Sequence, residues 1–184
     1  TVGSRFGGSI AASLPPDAIE AVAGEPGVES IRKPEPVVGA NQGDVVSEGL
    51  SAINVSGELH DAGVNGSGVT VAVVDTGFNV SNTEIDHHVA GFEDFEGDGM
   101  DNETSLHGTA VAELVIDTAP EASIRLYEVE TSTQVGSAVE HITQNTSVDV
   151  ATMSLGVLTG PFDGASEIDR AIDDSAANGT AWVV

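Results

Sequence analysis

The sequence predicts an α/β fold, a doubly wound parallel sheet with a short N-terminal extension. Three observations lead there. Residues 69–74 hold five apolar residues in six, mostly β-branched, and run into Asp75; this suits a strand covered on both faces that ends on a carboxylate. His107-Gly108-Thr109 then opens a run with Ala and Val at helical spacing through Val115. From there to Val184, strand-like and helix-like segments alternate, the pattern of parallel strands joined by crossover helices. An aspartate ending one strand and a histidine starting a later helix meet at the rim of such a sheet, where α/β folds place their sites.

The elements follow in order. Residues 1–13 are rich in Gly and Ser and show no clear pattern. Leu14-Pro15-Pro16-Asp17 reads as a helix entry, with proline and a carboxylate in the first turn. A short helix over 18–23 is ended by Gly24-Glu25-Pro26-Gly27, and 28–31 alternates as a short strand. Residues 33–48 are rich in Pro, Gly and acidic side chains and read as a linker. The chain thus divides into an extension over 1–48 and a main unit over 49–184. Residues 50–62 are expected as one amphipathic helix with Ile53, Leu59 and Ala62 on one face. Residues 63–68 turn into the strand that ends at Asp75. A loop leads to a second strand near 88–92 and an acidic loop over 93–103. A helix over 106–118 is stopped by Pro120. A strand over 123–129, a helix around 137–142 and a strand over 148–155 follow. The helix over 165–177 has Ile168, Ala171, Ile172 and Ala176 inward and ends at Asn178-Gly179. Residues 180–184 begin another strand.

Composition narrows the function classes. Lys and Arg number 5 against 30 Asp and Glu, a formal charge of -25 in 184 residues. No basic footprint exists to displace counterions from phosphates, which argues against nucleic acid as a partner. So many carboxylates repel one another and destabilise the compact state in dilute salt. Molar salt shortens the screening length to about 3 Å and relieves that cost. The composition resembles that of extremely halophilic archaea and implies a salt-adapted protein. The melting temperature is expected to rise between about 0.1 M and about 3 M KCl; a flat or falling series refutes the reading. There is no cysteine, so disulfides and thiolate metal sites are excluded. No apolar run reaches the length of a membrane span. The chain begins at Thr1 with no visible signal peptide, so an upstream segment is expected.

The motifs carry the functional reading. Asp75-Thr76-Gly77 follows an apolar strand, and His107-Gly108-Thr109-x-Val111-Ala112 comes thirty-two positions later. Val150-Ala151-Thr152-Met153-Ser154-Leu155-Gly156 supplies a third match. Together, in this order, they resemble the subtilisin-like serine proteases (subtilases), whose triad runs Asp, His, Ser. The resemblance covers residues 66–184. It implies a serine-type endopeptidase with His107 as general base and Asp75 as its orienter. It implies that Ser154, Leu155 and Gly156 form the edge that pairs with an extended peptide or protein substrate. It also implies that the sheet here is incomplete. The family's oxyanion asparagine and its G-T-S-x-A nucleophile are expected beyond Val184, so these residues alone should lack peptidase activity and be poorly soluble. The helix, P-G turn and strand near 18–31 resemble the end of a subtilase propeptide.

Other readings are weaker. Aspartic proteases also carry D-T-G, but they are all-β and need a second copy, which is absent from the sequence. The non-enzyme alternative is a subtilase-fold binding or cell-surface module lacking the nucleophile. His87-His88 reads as a surface loop, since neighbours on a strand face opposite ways, and His60 and His141 read as exposed helix residues. No H-E-x-x-H pattern supports zinc. No cofactor is expected. The loop over 93–103, with six acidic residues and two glycines, reads as a solvated turn, with a calcium site as the alternative. Glu84 matches the acidic position of the family's H-P-[DE]-L segment, whose His and Pro are replaced here. Six N-x-S/T sequons are compatible with an exported glycoprotein, and with the family resemblance they imply an extracellular or cell-surface protein of unassigned oligomeric state.

Overall fold

The computed structural model describes residues 1–33, 38–39, 49–97, 99, 106–145, 147–156 and 163–184. Most of the expected linker, and much of the acidic loop over 93–103, lie outside these residues.

Five strands form one all-parallel sheet: β4 (Thr70–Asp75), β5 (Val89–Asp94), β6 (Ser123–Glu128), β7 (Val150–Met153) and β9 (Ala181–Val183), in the order β5-β6-β4-β7-β9. Helix α3 (His107–Thr118) packs Ala112 and Ile116 onto the Val71, Val73, Ile124 and Leu126 side of the sheet. Helices α4 (Ser132–Gln144) and α5 (Glu167–Ala177) cover the other side, over Ala72, Val74, Tyr127, Ala151 and Met153. The sheet is therefore doubly wound, as the sequence implies. Each large apolar side chain fully buried in these layers stabilises the fold by about 1.5–3 kcal/mol before entropy is counted. Strand β4 is central. The chain builds β5 and β6 on one side of it and β7 and β9 on the other, so its carboxyl end is the switch point where α/β sheets open a crevice.

Two helix starts are fixed by reciprocal caps. Thr131 N donates to Gln134 Oε1 at 2.8 Å ahead of α4. Ser166 N donates to Asp169 Oδ2 at 2.9 Å and Ser166 Oγ accepts from Asp169 N at 3.1 Å ahead of α5. These capping boxes set the helices to begin at Ser132 and Glu167.

Several expectations need correction. Residues 1–13 form an antiparallel hairpin, β1 (Val2–Phe6) and β2 (Ser9–Ala12), turned at Gly7 with φ 51°. Its anchor is Phe6, buried against Gly136 of α4, where any Cβ would collide with the ring. Ser137 Oγ donates to the Arg5 carbonyl at 3.0 Å, and Gly7 N donates to Glu140 Oε1 at 3.4 Å. The short helix stands: a 3-10 turn over Pro16–Ala18 leads into α1 (Ile19–Ala23). Residues 28–31 form no strand. The single helix expected over 50–62 is broken into α2 (Gly49–Ala52) and a π-helical turn over Val55–Leu59. Asn54 takes a left-handed conformation between them, φ 60°, which ends the helical path. Val55 is the residue buried there, while Ile53 and Leu59 are exposed. In α5 the small inward residue is Ser175, which accepts from Trp182 Nε1 at 2.9 Å, and Ala176 is exposed.

Candidate active site

Asp75 is the last residue of β4 and is fully buried. The chain leaves the sheet there through Thr76-Gly77, and Phe78 locks the exit by burying its ring in the α3-side core. His107 is the first residue of α3 and only 8% exposed. Its Nδ1 lies 2.9 Å from Asp75 Oδ1 and 2.8 Å from Oδ2. A carboxylate only accepts, so Nδ1 carries the proton and donates it. In the neutral ring the basic lone pair then belongs to Nε2. Thr76 N donates to Asp75 Oδ1 at 2.8 Å, which fixes the carboxylate plane.

Two further contacts hold the strand exit against the helix start. Asn79 N donates to Thr109 Oγ1 at 2.7 Å. Gly108 lies directly on the Gly77 carbonyl, and a Cβ there would stand 2.8 Å from Asp75 Cβ. The Asp75–His107 geometry is thus clamped by the two residues that follow the histidine, Gly108 and Thr109. The electrostatics are opposed. Burial pushes the Asp75 carboxyl up from its ordinary value, against the pull of the His107 contact and the Thr76 N–H.

The third motif lies on the adjacent strand. Met153 pairs with Val74, so Ser154 leaves the sheet at the level of Asp75. Leu155–Gly156 forms β8, which pairs antiparallel with β3 (Val38–Gly39), in the register Val38↔Gly156 and Gly39↔Leu155. The predicted substrate edge is therefore already paired with an extended piece of the N-terminal segment.

Residues 66–184 match the subtilase family of peptidases. The chain belongs to the subtilase family. The match takes in β4, α3 and β8, and with them every candidate site residue. Among the relatives, this subtilase is 29% identical over 156 residues to the major intracellular serine protease of Bacillus subtilis, covering 74% of this chain and 47% of that protein. It is 32% identical over 136 residues to subtilisin DY of Bacillus licheniformis, covering 66% and 47%. It is 29% identical over 185 residues to subtilisin E of Bacillus subtilis, covering 91% and 47%. The chain spans about half the length of these relatives.

The remaining histidines lie elsewhere in this subtilase. His87 is exposed beside Asp86 at 3.0 Å, and His88 Nδ1 meets the Ala122 carbonyl at 3.2 Å; both sit ahead of β5, as a surface loop implies. His60 is not free on a helix surface: its Nε2 meets the Thr118 carbonyl at 3.0 Å. His141 is half-buried, its ring packed on Phe95 and Tyr127. Glu84 is exposed. Among the described residues no group of three His, Asp or Glu is placed to hold a metal ion, and no helix is long and apolar enough to cross a membrane.

Proposed function

We propose that the full-length protein is a serine endopeptidase in which His107 is the general base and Asp75 orients it. The observation that carries this reading is the buried pairing of His107 Nδ1 with both Asp75 oxygens at the switch point of a subtilase sheet. By the family's order, the serine comes later in the chain. Its hydroxyl is a weak nucleophile until His107 Nε2 removes the proton as the oxygen attacks the peptide carbonyl. His107 then hands that proton to the leaving amine, and Asp75 stabilises the transient imidazolium. Water repeats the cycle on the acyl-enzyme.

Ser154, Leu155 and Gly156 serve in this reading as the edge that receives an extended substrate by β-augmentation. The pairing of Leu155–Gly156 with Val38–Gly39 supports it, since that edge accepts an antiparallel strand. It also supports residues 1–48 as a propeptide-like unit that caps the cleft, with the hairpin seated on α4 as its anchor. The charge of -25 supports work in concentrated salt, and the sequons and the family support a place outside the cell or at its surface. No resident cofactor enters the mechanism.

Fluorophosphonate labelling of the full-length protein, in high salt, tests the function. One serine should take up the reagent, and His107→Ala should abolish the uptake. A folded protein that binds peptides yet never reacts would replace this reading with the non-catalytic binding module.

A further inference from the structure

The N-x-S/T tripeptides exceed what residue frequencies produce. The chain has eight asparagines, and Ser and Thr together are 31 of its 184 residues, so random order places one of them two positions after about one asparagine in six. Here six of the eight qualify: Asn54, Asn65, Asn79, Asn102, Asn145 and Asn178.

Their placement is selective too. All five in the described residues lie outside strands and helices, and none is buried. Asn65 lies in the turn before β4, Asn145 ends α4 before β7, and Asn178 ends α5 before β9. Strands β4, β7 and β9 are parallel neighbours, so these three sites share the amino-terminal edge of the sheet. Asp75 and His107 occupy the opposite edge.

We propose that Asn65, Asn145 and Asn178 are N-glycosylation sites, and that their glycans clothe the edge of the sheet opposite the catalytic rim. The proposal rests on the export reading and is independent of the peptidase chemistry. The donor class is an oligosaccharide joined through phosphate to a polyisoprenoid. Asparagine Nδ2 attacks the anomeric carbon, the N–C bond forms as the C–O bond to phosphate breaks, the lipid phosphate leaves, and Nδ2 gives up one proton. Asn145 is the best-presented site: Ser147 is exposed, and its Oγ already donates to Asn145 Oδ1 at 2.7 Å. At Asn178 the partner Thr180 is buried and donates to the Val148 carbonyl at 3.3 Å, so transfer there precedes the docking of β9. A local turn role for the hydroxyl accounts for Asn145 and for Asn79, where Ser81 Oγ meets Oδ1 at 2.9 Å, but not for Thr180, which points elsewhere. Asn79 follows Gly77 by two residues, and a glycan there would stand over the rim, so the proposal leaves it bare. Glycans on the other edge add bulk and hydration.

Peptide mass spectrometry of the protein from its own producing cells, medium and cell fractions separately, decides the matter. Peptides holding Asn65, Asn145 and Asn178 should carry hexose-containing mass, and the Asn79 peptide should not. Ser147→Ala should remove the mass from the Asn145 peptide alone, and Ser147→Thr should keep it. Bare Asn145 in both fractions overturns the proposal; bare protein in the medium does so while export stands, and bare protein confined to cells removes the export reading as well. Glycan that persists in the Ser147→Ala variant also overturns it.

Discussion

Asp75→Asn in the full-length protein is expected to lower kcat by about 10⁴ while leaving the melting temperature unchanged or higher. The size of the kinetic loss is the one known for triad aspartates in serine proteases, subtilisin among them. The cause here is geometric. Thr76 N claims Oδ1, so an asparagine keeps its oxygen there and turns its NH2 toward His107 Nδ1. An NH2 only donates, which forces the imidazole proton onto Nε2. A histidine in that tautomer has no lone pair for the serine proton.

The stability half of this expectation follows from the pKa direction. Burial raises the Asp75 carboxyl despite its partners, so the folded chain holds the ionised form at a cost. Between the ordinary carboxylate value and the raised one, the folded state binds more protons than the unfolded state. The contribution of Asp75 to stability therefore falls as pH rises through that window, and it is fully unfavourable above the raised value. Asparagine lacks the cost, and the neutral imidazole it leaves behind strands no buried charge. Melts of both proteins against pH check the sign: the variant's advantage should shrink as the pH is lowered into the acid range. A variant several degrees less stable at neutral pH would show that the pair holds the fold together rather than serving the chemistry.

The sheet and the dyad were legible because both rest on local pattern. A β-branched run ending in Asp-Thr-Gly can be little but a buried strand and its exit, and His107-Gly108-Thr109 precedes an apolar stripe at helical spacing. The hairpin over 2–12 was not legible. Its alternation is weak and rich in glycine, and it is held by Phe6 entering the gap at Gly136, a contact more than a hundred residues away. Asn54 is only a weak sign of the break, since asparagine is a poor helix former that visits the left-handed region without doing so at most positions, and only the burial of Val55 shows why the path turns. Two local signals do mark helix starts in the sequence: Thr131-x-x-Gln134 and Ser166-x-x-Asp169. The Thr109 hydroxyl holds the backbone of Asn79, thirty residues earlier, and with it the exit of β4. Partners distant in sequence cannot be named from one strand of pattern.

Gly108→Ala is the second large expected effect, and it separates position from chemistry. Alanine in a helix ordinarily stabilises by about 0.5–1 kcal/mol relative to glycine. At this position the new methyl would overlap the Gly77 carbonyl and stand 2.8 Å from both Asp75 Cβ and Phe78 Cε1. None of the three is the free end of a flexible side chain. One is backbone, one is anchored to a fully buried strand residue, and the third belongs to a ring 1% exposed. Relief must come from moving the first turn of α3 away from β4, and His107 is the residue that moves with it. Overpacking of this kind costs about 1–3 kcal/mol, and a displacement of about 1 Å at a catalytic group costs about 10² in rate. The variant should therefore lose both stability and kcat/KM, whereas Asp75→Asn loses rate alone. Gly8→Ala is the control, because a Cβ there meets nothing within 4 Å; it should change neither quantity. Melting curves and kcat/KM for the full-length proteins decide it. A Gly108→Ala enzyme that melts and turns over like its parent would mean that the helix start is not seated on the strand exit, and that the Asp75–His107 distance is set elsewhere.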